Sequence, residues 1–134
     1  MSDLNILFSK AEPHLLSALR IITAFLYIPH GTQKLFSFPA APPFGNPEML
    51  TLFWWAGVLE IFGGLLVLLG LFTRPVAFLL SGQMAVAYFM VHAPQGFWPI
   101  LNGGELATLY CFVFLYLAAA GGGRWSLDSL MSQR

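Results

Sequence analysis

Charge is what this chain has least of. Only 9% of its 134 residues are Asp, Glu, Lys or Arg, against about 25% in ordinary soluble domains. So few charges leave a water-facing surface uncovered, which excludes a soluble globular domain. The balance is also neutral, six basic residues against six acidic, so the basic footprint of a nucleic-acid binder is missing. One cysteine, Cys111, excludes an intramolecular disulfide, a CxxC redox pair and a cysteine-rich metal site. It lies in an apolar run and reads as a small buried thiol. The three histidines, His14, His30 and His92, form no HExxH pair. His14 and His30 stand over about 20 Å apart along one helix, too far for bis-histidine haem ligation. No metal site is expected. A glycine-rich phosphate loop after a strand is missing too, as is a nucleophile with a visible base. Asp3, Lys10 and Glu12 interrupt the start of the chain, so a cleaved signal peptide is not expected there.

What remains is apolar: 57% hydrophobic residues and a mean hydropathy of +0.73. Crossing the hydrocarbon of a bilayer takes about 20 helical residues. Four segments are read as spans: 15–36, 49–71, 75–91 and 105–120. The separators read as turns. Ser37 to Pro47 is too proline-rich for a helix, Gly70 to Pro75 is a tight connection, and His92 to Gly104 is an aromatic loop. Gly121 to Gly123 stop the last span, and Ser126 is placed to cap a short interfacial helix. The expected fold is all-α: one domain, a polytopic up-down four-helix transmembrane bundle. Lys10, Arg74, Arg124 and Arg134 gather on one side, with Arg20 nearby, and Lys34 alone on the other. The positive-inside rule then predicts both termini in the cytoplasm.

Polar groups inside such spans are costly, and each is a functional hypothesis whose partner must be named. On the first span, which ends in "FLYIPHGTQKLF", the residues Arg20, Thr23, Tyr27, His30 and Lys34 follow spacings of three, four, three and four, one face of a helix. On the second span Glu60 is reckoned close to the midplane and within reach of Arg20, so an Arg20–Glu60 ion pair is expected. Gly57, Gly63, Gly64 and Gly70 favour close helix approach. On the third span Ser81, Ala85, Tyr88 and His92 make a weakly polar stripe, and Gln83 is expected to donate an interhelical hydrogen bond. In the fourth, Glu105 is expected at the depth of Lys34, as its partner or as the third position of a capping box led by Asn102. Tyr27, His30, Lys34, Tyr88, His92 and Glu105 are therefore the candidate ligand-binding residues. Their mixed polar and aromatic character, with Phe97 and Trp98 beside them, suits a small planar ligand such as a quinone head group or a phenol. It equally suits a proton relay.

The segments "LRIITAFLYIPHGTQKLF", "GVLEIFGGLLVLLGLFTRPVA" and "NGGELATLYCFVFLYLAAAGGGRWSLDSL" together resemble the DoxX family of small bacterial inner-membrane proteins. The resemblance runs from Leu15 to Leu130. It rests on an arginine ahead of "HGTQK", "E-x-x-G-G" on the second span, "NGGE" opening the fourth and a closing "G-x-W-S-L-D". It implies a four-helix protein of the bacterial inner membrane, linked in some members to oxidoreductase systems, including a thiosulfate:quinone oxidoreductase, secreted antioxidant enzymes, and quinone or catechol stress. The family's polar positions correspond to Arg20, His30, Lys34, Glu60 and Glu105. Expected partners are the bilayer and a peripheral oxidoreductase subunit, with a homo-oligomer permitted by the glycines. The expected ligand is a quinone, with no covalently bound cofactor. Catalysis by the chain itself stays open, and a proton-coupled transporter and a non-enzymatic scaffold stand as the alternatives.

Overall fold

The computed structural model describes residues 2–133, and every regular element among them is helical. Helix α1 (Asp3–Phe36) starts well before the expected Leu15. The Ser2 hydroxyl accepts the Asn5 N–H at 3.4 Å, and Asp3 places negative charge in the first turn. Pro13 and Pro29 both lie inside the helix without ending it. At about 1.5 Å per residue, α1 outruns the roughly 30 Å hydrocarbon layer by a wide margin. Its last carbonyls are covered by the proline-rich connection: Asn46 Nδ2 donates to Gln33 O (3.1 Å) and Lys34 O (2.9 Å).

Helix α2 (Leu52–Leu69) ends on Gly70, whose φ of +68° allows the left-handed cap that closes the helix. Helix α3 (Thr73–Ala87) takes up Pro75 in its first turn, as the sequence implies. It continues through a π-turn (Tyr88–His92) and a 3-10 turn (Ala93–Gln95), so the rod reaches past the expected end at Val91. The short helix α4 (Pro99–Asn102) precedes α5 (Glu105–Ala120), and α6 (Leu127–Ser132) is capped by the Ser126 hydroxyl on the Ser129 N–H at 3.1 Å.

Three helical segments are long and apolar enough to cross a membrane: Asp3–Phe36, Leu52–Leu69 and Thr73–Gln95. The fourth expected span, α5, has 16 residues. That is about 24 Å of helix, short of the hydrocarbon thickness. Helix α5 has the bounds expected for the fourth span, 105–120, and is the shorter apolar helix beside these three.

The distribution of side chains is that of a protein whose solvent is lipid. Phe25, Leu26, Phe62, Phe78, Leu79 and Phe112 all point outward. Most inward positions of α1 and α2 are small or polar: Ser17, Arg20, Thr23, Ala24 and Gly31 beside Tyr27 on α1, and Gly57, Glu60, Gly63 and Gly64 beside Val67 on α2. Helix α1 lies along α2, and α3 along α5. Glycine sets the first of these contacts. A Cβ on Gly31 would sit 2.6 Å from the Gly57 carbonyl oxygen, so α1 approaches the α2 backbone there only because Gly31 lacks a side chain.

Candidate functional site

Close approach at Gly31 places a polar chain in the interior. Tyr27, Gly31 and Lys34 share a face of α1, and Gly31 brings α2 near enough for Lys34 to reach Glu60. Lys34 Nζ lies 2.6 Å from Glu60 Oε1 and 2.8 Å from Oε2. The Glu60 side chain is 3% exposed and that of Lys34 27%. From α3, Gln83 Nε2 donates to Glu60 Oε1 and to the Ala56 carbonyl, each at 3.4 Å. The Tyr27 hydroxyl donates to Gln83 Oε1. One hydrogen-bonded chain, Tyr27–Gln83–Glu60–Lys34, thus joins three helices.

Aromatic rings wall this chain. Tyr27 meets Phe114 edge-on at 4.9 Å and Tyr110 at 5.3 Å. His30 is half-buried and meets Tyr110 edge-on at 5.9 Å. A buried ion pair is tolerated in such surroundings only when its geometry is good and its remaining lone pairs are occupied. Both carboxylate oxygens have a donor here.

The expected Arg20–Glu60 pair does not form. Arg20 stands level with the end of α2 rather than with its middle. Its guanidinium donates to Gly122 O, to Trp125 O at 2.6 Å and to Leu68 O at 3.4 Å. Glu60 is about ten residues, or roughly 15 Å of helix, from that level. Two carbonyls of the α5–α6 turn and one from the last turn of α2 satisfy the arginine instead. Around it the chain end is stitched down: Ser17 Oγ donates to Gly122 O and accepts the Trp125 N–H, while Arg124 N–H donates to Pro13 O. Asp128 accepts the N–H groups of Phe72 and Thr73, both at 2.9 Å, and so caps α3. Arg74 in turn donates to the Ala118 and Ala119 carbonyls at the end of α5. The arginine and "G-x-W-S-L-D" elements of the sequence are thus parts of one structural latch. Arg134, counted with this end of the chain, lies outside the described residues.

Tyr88 and His92 belong to a third group. Asn102 is buried and holds the loop together. Its Nδ2 donates to Gly96 O at 2.9 Å and to the Tyr88 hydroxyl at 3.2 Å, and its Oδ1 accepts the Gly104 N–H at 2.8 Å. The His92 ring Nδ1 pairs with Asn102 O at 3.0 Å. Gly104, not Asn102, is the N-cap residue of α5, so the expected capping box is replaced by a loop clasp. Glu105 is exposed in the first turn of α5, where a negative charge suits the helix N-terminus. It does not pair with Lys34, because α1 meets α5 only sparsely and Lys34 is taken by Glu60. The six candidate ligand residues therefore separate: Tyr27, His30 and Lys34 adjoin the Glu60 chain, Tyr88 and His92 adjoin Asn102, and Glu105 faces outward.

Sequence reasoning expected Gln83 to donate between helices and missed that it joins Tyr27 to Glu60. It also missed Tyr110, which carries no signal beyond its place in an apolar run. Among the described residues, no cluster of three or more His, Cys, Asp or Glu side chains is set to hold a metal ion.

Comparison with known proteins gives the chain a family. The DoxX family profile matches residues 15–93. A protein of Haemophilus influenzae described as uncharacterized is 48% identical over 90% of this chain and 92% of its own length. An uncharacterized membrane protein of Mycobacterium tuberculosis is 28% identical over 97% of this chain and 88% of its own. No solved structure matches. With a family profile covering more than half of its length and a close full-length relative, this membrane-embedded chain belongs to the DoxX family.

Proposed function

We propose that the chain is a multi-pass protein of the bacterial inner membrane that serves a quinone-linked or oxidative-stress redox system as a membrane subunit. It would bind a small aromatic ligand, with the electron chemistry supplied by a partner oxidoreductase. Helix α5 is the fourth span in this reading, and both termini are cytoplasmic. Lys10, Arg74 and Arg124 support that orientation, because Pro13, Gly70 and Gly122 meet at one end of the molecule while Lys34 is near the other.

The observation that carries the reading is the Tyr27–Gln83–Glu60–Lys34 chain, walled by aromatic rings inside apolar helices. A quinone takes up protons with its electrons, and this chain offers groups that hold and pass protons beside rings against which a planar ligand stacks. The half-buried His30 would hydrogen-bond a ring carbonyl, with Lys34 and Glu60 setting the field and the buried Tyr27 and Tyr110 backing the site. Tyr88 and His92, bonded to Asn102, and the exposed Glu105 stand outside this site.

The test is mass spectrometry of small molecules that co-purify in mild detergent, with thermal unfolding in added quinones. Quinone in the extract and a melting temperature raised by quinone, with the rise lost in His30→Ala, is the expected result. An extract without quinone and an unchanged melting temperature would remove this reading.

The same chain favours a second reading, a proton-coupled transporter, because it crosses from α1 to α3 through a buried carboxylate. Flux in proteoliposomes that survives Glu60→Gln would remove Glu60 as its coupling group.

A further inference from the structure

The turn between the third and fifth helices is the part of the surface that the Glu60 chain does not explain. Phe97, Trp98, Ile100 and Leu101 are 81%, 62%, 76% and 79% exposed. They follow one another around a tight corner, and Phe89 (71% exposed) continues the same apolar surface down the flank of α3. A water-facing connection between two helices would not normally concentrate so many large apolar groups.

The backbone of this turn is prepared for surroundings poor in water. Irregular backbone survives near the hydrocarbon only where its polar groups are satisfied from within. Asn102 does this for much of the corner. Its side chain takes the Gly96 carbonyl and the Gly104 N–H, its own carbonyl meets His92 Nδ1, and the Leu101 and Asn102 N–H groups both donate to Trp98 O at 2.9 Å. The proline-rich connection that follows α1 also exposes Phe38 and Phe44, but their setting differs. There Phe44 is fully exposed, but it is flanked by Pro42, Pro43, Gly45 and Asn46, and Asn46 is itself exposed.

We infer that residues 97–101 form an aromatic foot seated in the headgroup–acyl boundary of the bilayer, with lipid as its partner. Trp98 and Phe97 are suited to that depth, where indole and phenyl rings gather. The foot also gives the short helix α5 a lipid-held start, just ahead of Glu105. This inference rests on the chain being a membrane protein and is independent of any ligand at Tyr27 and Lys34.

The test uses spin labels on the full chain in phosphatidylcholine–phosphatidylglycerol vesicles. In a Cys111→Ala background, Phe97→Cys and Ile100→Cys carry the probe, with Phe44→Cys as the water-facing reference. Thermal unfolding first checks that each labelled variant folds like the parent. Labels at positions 97 and 100 should relax with dissolved oxygen and lose sensitivity to a water-soluble nickel chelate, whereas the label at 44 should respond to the chelate. Equal chelate sensitivity at all three positions would overturn the proposal. So would labels at 97 and 100 shielded from both agents and broadened by spin–spin coupling, since that outcome assigns the foot to a second copy of the chain.

Discussion

Lys34 Nζ sits between the two carboxylate oxygens of Glu60, at 2.6 and 2.8 Å, and neither residue has another oppositely charged neighbour within ion-pair distance among the described residues. The pair belongs to α1 and α2, whose backbones touch at Gly31 and Gly57. The ion pair and the glycine contact thus lie on the same helix pair.

Removing one partner leaves the other charge stranded in an apolar interior. Glu60→Leu or Lys34→Met alone should each destabilise the protein by about 3 kcal/mol. The double variant should lose less than the sum of the two singles. Thermal or denaturant unfolding in detergent measures this coupling, and additive losses would show that the pair does not act as a unit.

Gly31→Ala should cost about 1–3 kcal/mol by overpacking, because the new methyl group would press on the Gly57 carbonyl and the Ile61 side chain. Gly82→Ala is the contrast. No atom lies within 4 Å of a Cβ there, and its place inside α3 predicts a gain of up to about 1 kcal/mol. Melting temperatures moving in opposite directions would bear out the packing.

Arg20 holds the chain end through carbonyl oxygens, so its loss should free that end before the rest. In Arg20→Met, amide exchange over residues 121–128 should accelerate while exchange at Glu60 and Gln83 changes little. Arg20→Lys should restore only part of the protection, because an ammonium cannot span the Gly122 and Trp125 carbonyls as the guanidinium fork does. Uniform acceleration along the whole chain would argue against a separable latch.

Asp128 supplies a pH dependence. Partial burial pushes its carboxyl up, but the N–H groups of Thr73 and Phe72 and the Arg20 charge together hold it below its ordinary value. A carboxyl lowered in the folded state contributes stability that is full above the unfolded value of about 3.9 and disappears as pH falls through the folded value. Protection of residues 70–73 and 126–130 should therefore persist through mild acidity and fall only below that range. Asp128→Asn should flatten this dependence, and a profile the same in both proteins would remove Asp128 as its source.

Much of the fold is legible in the sequence because membrane helices announce themselves by length and apolarity. Segments 52–69 and 73–95 are recovered to within a few residues, since Gly70 and Pro75 punctuate them. The start of α1 is not, because the apolar span begins at Leu15 while the helix also takes in the more polar residues from Asp3 on. Helical spacing also places Tyr27 and Lys34 on one face with Arg20. It carries no information on which partner each of them meets.

Composition and hydropathy alone determined that this chain lives in lipid, because 9% charge cannot cover a water-facing surface. Spacing alone determined which α1 residues share a face, because the helix repeat is a constant of the backbone. Only the tertiary structure decided that Glu60 meets Lys34, that Arg20 closes the chain end, and that Tyr88 and His92 serve a loop. Those choices turn on relative helix depth. Depth follows from where glycines admit a neighbour, the Gly57 carbonyl against Gly31 and the Leu80 side chain against Gly63, and a one-dimensional pattern does not record those contacts.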